Sequence, residues 1–287
     1  MQLIDSFASG TTLSKVHWTV WAAVPVVFSV LCRKHGGFYY RSTVALICLA
    51  LAAFYGVIAS LTLPLIGQAH LINWTVARFY YRLAGFLLNI SVNIEGKEHL
   101  SSKGPVVYVC NHQSSMDVLL MGSVFPKATS VVAKKSIKYY PILGWYMTLS
   151  KAIFLDRKNR DSAIKEARQA ANDIHNKKIN VWLFPEGTRG HPSEINLLPF
   201  KKGAFYMAAQ AKVPIVPIVI ANYHNLYSSK LKQFNSGVVR IKVLPPVSTE
   251  AVKQDSADIE KLSVSVREQM LEALKEISDP IENKKSN

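Results

Sequence analysis

Apolar and polar positions divide this chain into two regimes. Val16–Cys32 is almost wholly apolar, and Val44–Ile66 is a longer run without a charge. Coiled as a helix, the second run reaches ~35 Å, enough to cross a hydrocarbon core of ~30 Å. The first reaches ~25 Å and contains Pro25. With the basic loop RKHGGFYYR between them, the two runs predict an N-terminal membrane helical hairpin. Residues 73–90 interleave Trp74, Phe79, Tyr80, Tyr81 and Phe86 with Arg78 and Arg82, the pattern of an amphipathic helix at an interface. Beyond about residue 92 short apolar runs alternate with helical periods. Strands are expected at 106–110, 129–133, 152–155, 179–184, 214–221 and 237–244. Helices are expected at 115–124, about 140–150, 162–177, 201–211 and about 256–277. The helix at 162–177 carries Asp161 as an N-cap and puts Ile164, Ala167, Ala171 and Ile174 on one face. This order divides the chain into membrane-associated helices at 1–90 and an α/β domain at 91–287. The α/β domain is expected to hold a mixed, largely parallel sheet flanked by helices.

Charge sharpens the picture. The chain of 287 residues has a formal net charge of +15 and is 49% hydrophobic. Residues 127–242 alone contribute +14, while 250–282 contribute −5. A basic middle beside membrane segments points to anionic lipid headgroups or a phosphorylated substrate. Nucleic acid is set aside as a partner, because no recognisable nucleic-acid module accompanies the charge. Three cysteines, Cys32, Cys48 and Cys110, form neither a disulfide framework nor a metal-ligand spacing. They read as packing residues of a domain in a reducing compartment. The stretch KKSIKYYPILGWYMTLSK at 134–151 has two readings of equal weight, core packing and docking on a membrane surface.

Two strings at strand ends carry the candidate chemistry: NHQSSMD at 111–117 and FPEGTRG at 184–190. Five residues on a regular helix leave two side chains roughly 140° apart. His112 and Asp117 therefore meet only if His112 lies in the turn before a helix and Asp117 in its first turns, with Ser114 and Ser115 as natural N-caps. A carboxylate on one ring nitrogen fixes the tautomer and raises the basicity of the other. The competing reading is a capping carboxylate beside a surface histidine, and for this spacing alone it is the better one. In the second string Gly187 permits a positive φ. Glu186 and Arg189 either pair with each other, or Arg189, Thr188 and backbone N–H groups bind a phosphate. Lys201 and Lys202, at a helix start, would also attract an anion.

Together the strings resemble the glycerophospholipid acyltransferase family, most closely its 1-acyl-sn-glycerol-3-phosphate acyltransferases. Four blocks occur in order: N-H-x-x-x-x-D at Asn111–Asp117, KAIFLDR at Lys151–Arg157, F-P-E-G-T-R at Phe184–Arg189 and V-P-I-V-P at Val213–Pro217. Lys151 stands where the second block normally has glycine. The resemblance implies that His112 is the catalytic base, oriented by Asp117. It places Arg157, Glu186, Gly187, Thr188 and Arg189 at the phosphorylated acceptor, with Asn111, Phe154, Pro185 and Pro214 as motif residues. The implied reaction moves an acyl chain from acyl-CoA, a co-substrate, to the sn-2 hydroxyl of lysophosphatidic acid, with no metal or redox cofactor. The implied setting is the endoplasmic reticulum membrane with the catalytic domain facing the cytosol, an address to which Lys284 and Lys285 add a dilysine retrieval signal.

Overall fold

The computed structural model describes residues 36–101, 104–155, 169–174, 178–190 and 193–278, with isolated positions at 24, 26–28, 33 and 176. Most of the first apolar run, Asp156, Arg157, Asp161, Lys284 and Lys285 lie outside the described residues. The helices are α1 (Phe38–Thr62), α2 (Ile72–Leu88), α3 (Asp117–Val124), α4 (Leu143–Leu149), α5 (Gly203–Ala211) and α6 (Ser256–Ile277). The strands are β1 (Ile90–Glu95), β2 (Val107–Cys110), β3 (Thr129–Lys134), β4 (Ile153–Leu155), β5 (Asn180–Leu183) and β6 (Ile215–Ile220). They continue with the short β7 (Tyr227–Ser228) and β8 (Gln233–Phe234), then β9 (Gly237–Val243).

Seven strands form one sheet in the order β1-β9-β6-β2-β5-β3-β4. Neighbours run parallel except β6 and β9, which are antiparallel. Period-two alternation along the central strands loads both faces with apolar groups. Val107, Val109, Val181, Leu183, Ile215 and Val219 join the core beneath α5, α6 and the helical residues 169–174. Val106, Tyr108, Cys110, Trp182, Val216, Ile218 and Ile220 join the core on the α1, α2 and α3 side. Trp182 is fully buried between the Tyr108 and Phe125 rings, at centroid distances of 6.0 and 5.7 Å. Fully burying a Val, Leu or Ile side chain of these strands contributes about 1.5–3 kcal/mol.

The helix expected at 73–90 is present as α2 and ends two residues early. Asn89 takes a left-handed φ of 50°, and its N–H closes on the Gly85 and Phe86 carbonyls. That cap releases Ile90 into β1, an edge strand the apolar pattern did not announce. Ile72, Val76, Tyr80, Ala84 and Leu88, spaced by four, form the buried face of α2, which lies between α1 and α3. The exposed Phe86 stays on its outer side.

Helix α1 has the opposite of a soluble helix's design. Its buried residues are Arg41 near its start, then Cys48, Ala52, Ala53, Gly56, Ala59 and Ser60, while Leu46, Leu51, Phe54, Ile58 and Leu61 point outward. Small residues let the helix approach its neighbours closely: a Cβ on Gly56 would collide with the Tyr146 ring at 2.4 Å. Among the described residues Phe38–Ile66 is one helical segment long and apolar enough to cross a membrane. The stretch at 134–151 divides between its two readings. Tyr146 packs on α1 and donates to Asn73 Oδ1 at 2.8 Å. Tyr139 and Trp145 are 75% and 61% exposed, which core packing does not explain.

Lys151 closes the turn after α4 with a φ of +58°. Its N–H bonds to Thr148 O at 3.1 Å and its carbonyl accepts from Ser130 Oγ at 3.0 Å. The position thus favours a glycine conformationally without requiring one, because a Cβ in the left-handed region costs roughly 1–2 kcal/mol. Glycine's larger unfolded-state entropy takes back part of that. Lys151→Gly is expected to raise the unfolding free energy by about 0.5–1 kcal/mol, read from urea or thermal melts in detergent. A less stable variant would show that the lysine side chain contributes more than its backbone loses.

Candidate active site

Strands β2 and β5 are parallel neighbours, with Val107 opposite Val181, so the segments after Cys110 and Leu183 leave the sheet at the same edge. The carboxyl ends of central parallel strands are where α/β folds place their chemistry. Asn111 is fully buried and extends the β2–β6 ladder by one side chain. Its Nδ2 donates to Ile220 O at 2.9 Å, and Ile220 N donates to its Oδ1 at 2.8 Å. The chain then turns, and His112 is tied to the second string three times. Its N–H donates to Glu186 Oε1 at 2.7 Å, its carbonyl accepts from Gly190 N at 2.7 Å, and its ring stacks on Phe184 at 4.2 Å.

Asp117 is the first residue of α3, so His112 lies before the helix, as the spacing required. His112 Nδ1 sits 2.7 Å from Asp117 Oδ2, and the carboxylate is fully buried. Oδ2 also accepts from Gln113 N at 2.6 Å and Ser114 N at 2.8 Å. An ionised carboxylate only accepts, so the shared proton is assigned to Nδ1 and leaves the Nε2 lone pair unoccupied. The capping role expected of Ser114 shifts upstream. Its Oγ accepts from Met116 N at 3.0 Å and serves the turn, while the helix start has no side-chain cap. Of the two sequence readings, the geometry fits an imidazole oriented by its carboxylate rather than an incidental surface histidine.

The second string folds as a tight turn in which Gly187 has φ +70°. Glu186 is buried and does not pair with Arg189. Its Oε1 accepts from His112 N, and its Oε2 from Leu198 N at 3.0 Å. Burial pushes its carboxyl above the ordinary range, and those two N–H groups oppose the rise. Glu186 is therefore a brace between three loops. Thr188 and Arg189 are exposed, and Arg189 makes no hydrogen bond or ion pair with a described residue. Lys202 is held by Glu260 at 2.6 Å, whereas the Lys201 stem lies along Gly187, whose added Cβ would come within 3.2 Å of it. Pro185 is buried and its carbonyl receives Lys201 N at 2.7 Å. Pro214 O receives Val107 N at 3.0 Å, locking β6 to β2. Phe154 stands in β4 opposite Ala133, at the far edge of the sheet. Arg157 lies outside the described residues. The structure adds Tyr223, whose OH donates to Asp117 Oδ1 at 2.5 Å. No spacing rule links two residues 106 positions apart.

With this geometry in place, likeness to known proteins becomes decisive. Residues 91–221 match the Acyltransferase family. Over 240 residues the chain is 44% identical to 1-acyl-sn-glycerol-3-phosphate acyltransferase of Saccharomyces cerevisiae, covering 84% of this chain and 78% of that one. The chain belongs to the 1-acyl-sn-glycerol-3-phosphate acyltransferase family. The alpha enzyme of that name from Homo sapiens is 39% identical over 206 residues, covering 72% of this chain and 71% of its own. The fold matches the crystal structure of the 1-acyl-sn-glycerophosphate (LPA) acyltransferase, PlsC, from Thermotoga maritima. The TM-score is 0.65 at 22% identity, over 87% of this chain and 98% of that one. In this acyltransferase-family member His112 and the exposed Arg189 sit on one hydrogen-bonded pair of turns.

Removing the brace tests that construction. Glu186→Ala strands the N–H groups of His112 and Leu198, and is expected to cost about 1–3 kcal/mol of stability together with most of the activity. Thermal unfolding alongside an activity assay reads both. A variant as stable and as active as the parent would mean that the loops hold their positions without it.

Proposed function

We propose that this chain transfers an acyl chain from acyl-CoA to the sn-2 hydroxyl of lysophosphatidic acid, forming phosphatidic acid. The observation that carries the reading is the His112–Asp117 pair bonded directly to the glycine turn that presents Thr188 and Arg189. A base and an anion site within one construction suit a substrate carrying a hydroxyl and a phosphate. The similarity to 1-acyl-sn-glycerol-3-phosphate acyltransferases supports the same acceptor.

In this reading His112 Nε2 takes the hydroxyl proton as the oxygen attacks the thioester carbonyl. Asp117 stabilises the imidazolium that forms. The carbon–sulfur bond breaks and coenzyme A leaves as a thiolate, whose conjugate acid has a pKa near ~8.5. The imidazolium returns its proton to that thiolate, which restores the base. No acyl-enzyme forms, and the steps require neither a metal nor a redox cofactor. Arg189 and Thr188 hold the phosphate, because a planar guanidinium donates two parallel bonds to it, with Arg157 as a second cation. Glu186 and Gly187 shape the turn that presents them.

The outward Leu and Phe side chains of α1, together with exposed Tyr139 and Trp145, support docking of the domain on a bilayer. The lysolipid then enters from the membrane, and the anionic thioester reaches the basic mouth from water. We assign the chain to the endoplasmic reticulum membrane with this domain in the cytosol. Protease added to intact microsomes should digest the domain carrying His112. Survival until detergent is added would place it in the lumen.

A thioester-release assay with lysophosphatidic acid and oleoyl-CoA tests the activity, with glycerol-3-phosphate and other lysophospholipids as competing acceptors. In it His112→Ala is expected to lower kcat by about 10²–10⁴-fold with the fold intact, and Asp117→Asn to be similarly severe. Arg189→Ala should instead raise the acceptor KM and leave the acyl-CoA KM nearly unchanged. Near-normal turnover by His112→Ala would sink the mechanism, and an unchanged acceptor KM would return Arg189 to the solvated surface.

A further inference from the structure

Asp117 has two oxygens, and the known blocks account for one of them. Oδ2 serves His112, Gln113 and Ser114. Oδ1 is taken by the phenol of Tyr223, which arrives from the segment after β6 and is almost completely buried. The same phenol oxygen lies 2.8 Å from Ser114 Oγ. Its hydrogen is committed to a carboxylate that can only accept, so Ser114 must be the donor in that second contact. Ser114 in turn accepts from Met116 N. The result is a directional chain, Ser114 to Tyr223 to Asp117, whose far end is the Nδ1–H of His112. Burial, together with the charge of Asp117 and the bond to it, holds the phenol well above its ordinary range, so it remains a donor.

We propose that Tyr223 is a positioning residue for the acyl-transfer base, fixing the rotamer of Asp117 through Oδ1 and setting how much negative charge Asp117 presents to His112. The inference rests on the reading of His112 as that base. A fully buried carboxylate is costly unless its lone pairs are satisfied, and without the phenol Oδ1 would have no protein donor among the described residues. Hydrogen bonds in such a chain strengthen one another in a low-dielectric interior. Removing the phenolic hydroxyl concentrates charge on the Asp117 carboxylate and frees it to rotate. The first effect favours the imidazolium form of His112, and the second loosens its orientation. The other titratable groups around the pair are Cys110 at the end of β2, Glu186 in the β5 turn and Glu194 beside His112 before α5. None of these three is hydrogen-bonded to the Tyr223 phenol.

The test is the pH dependence of kcat/KM with lysophosphatidic acid and oleoyl-CoA in the detergent-solubilised full chain. Tyr223→Phe keeps the ring that packs in the core and removes only the donor. It is expected to move the acid limb upward by roughly half a unit or more and to lower plateau kcat by about tenfold, with both KM values unchanged. A monofluorinated tyrosine placed at position 223 is a stronger donor in nearly the same shape, and it should move the acid limb downward. Opposite shifts support the proposal, since a packing role moves the limb in neither direction. A limb and plateau that overlay the parent in either variant, or shifts of the same sign, overturn it. Should Tyr223→Phe fail to fold, the fluorinated chain carries the test alone. These outcomes leave the proposed function standing, because that reading fails separately if His112→Ala retains turnover.

Discussion

The fully buried carboxylate of Asp117 is the interaction on which the rest of the site depends. Four donors converge on it, from the His112 ring, the Gln113 and Ser114 backbone and the Tyr223 phenol. An ion in that position is tolerated only because each donor offsets part of its desolvation. The same bonds orient the imidazole, close the turn after β2 and bind that turn to the segment after β6. Stability and candidate chemistry are thus drawn from one set of hydrogen bonds, and loosening any of them disturbs both.

Glu186 repeats the device on the other side of His112. It is a buried carboxylate whose oxygens are both spent on backbone N–H groups of different loops. Its companions in the same turn, Thr188 and Arg189, remain exposed. The turn therefore separates a buried, bonded side chain from exposed ones residue by residue. A glycine between them supplies the left-handed bend that aims one side chain inward and the next outward. The parallel pairing of β2 with β5 is what sets these two turns side by side.

Helix α1 connects this site to its surroundings. Its small residues face α2 and α4, and its large ones face away from the protein. A helix of that design fits tightly against protein and is satisfied on its outer side by hydrocarbon. Because α2 and α3 pack in series behind it, the helix that opens with Asp117 belongs to the same layer as the exposed apolar face of α1.

Much was legible in the sequence, for a local reason. Side-chain period two marked the central strands, apolar length marked α1, and turn chemistry marked Gly187 and the break between His112 and Asp117. These are properties of a few consecutive residues, and they survive without knowledge of neighbours. The edge strand β1 was hidden because the helical period of 73–90 runs into its first residue, and only the left-handed cap at Asn89 separates the two. The pairing of Glu186 was hidden because a carboxylate beside an arginine looks like an ion pair until two distant N–H groups claim its oxygens. Tyr223 was hidden most completely. The sequence by itself determined the central strands, the turns and the candidate pair of His112 and Asp117. Only the tertiary structure decided what holds that histidine, because β2, β5 and β6 become neighbours through long-range pairing, and no local pattern records which loops that pairing will bring together.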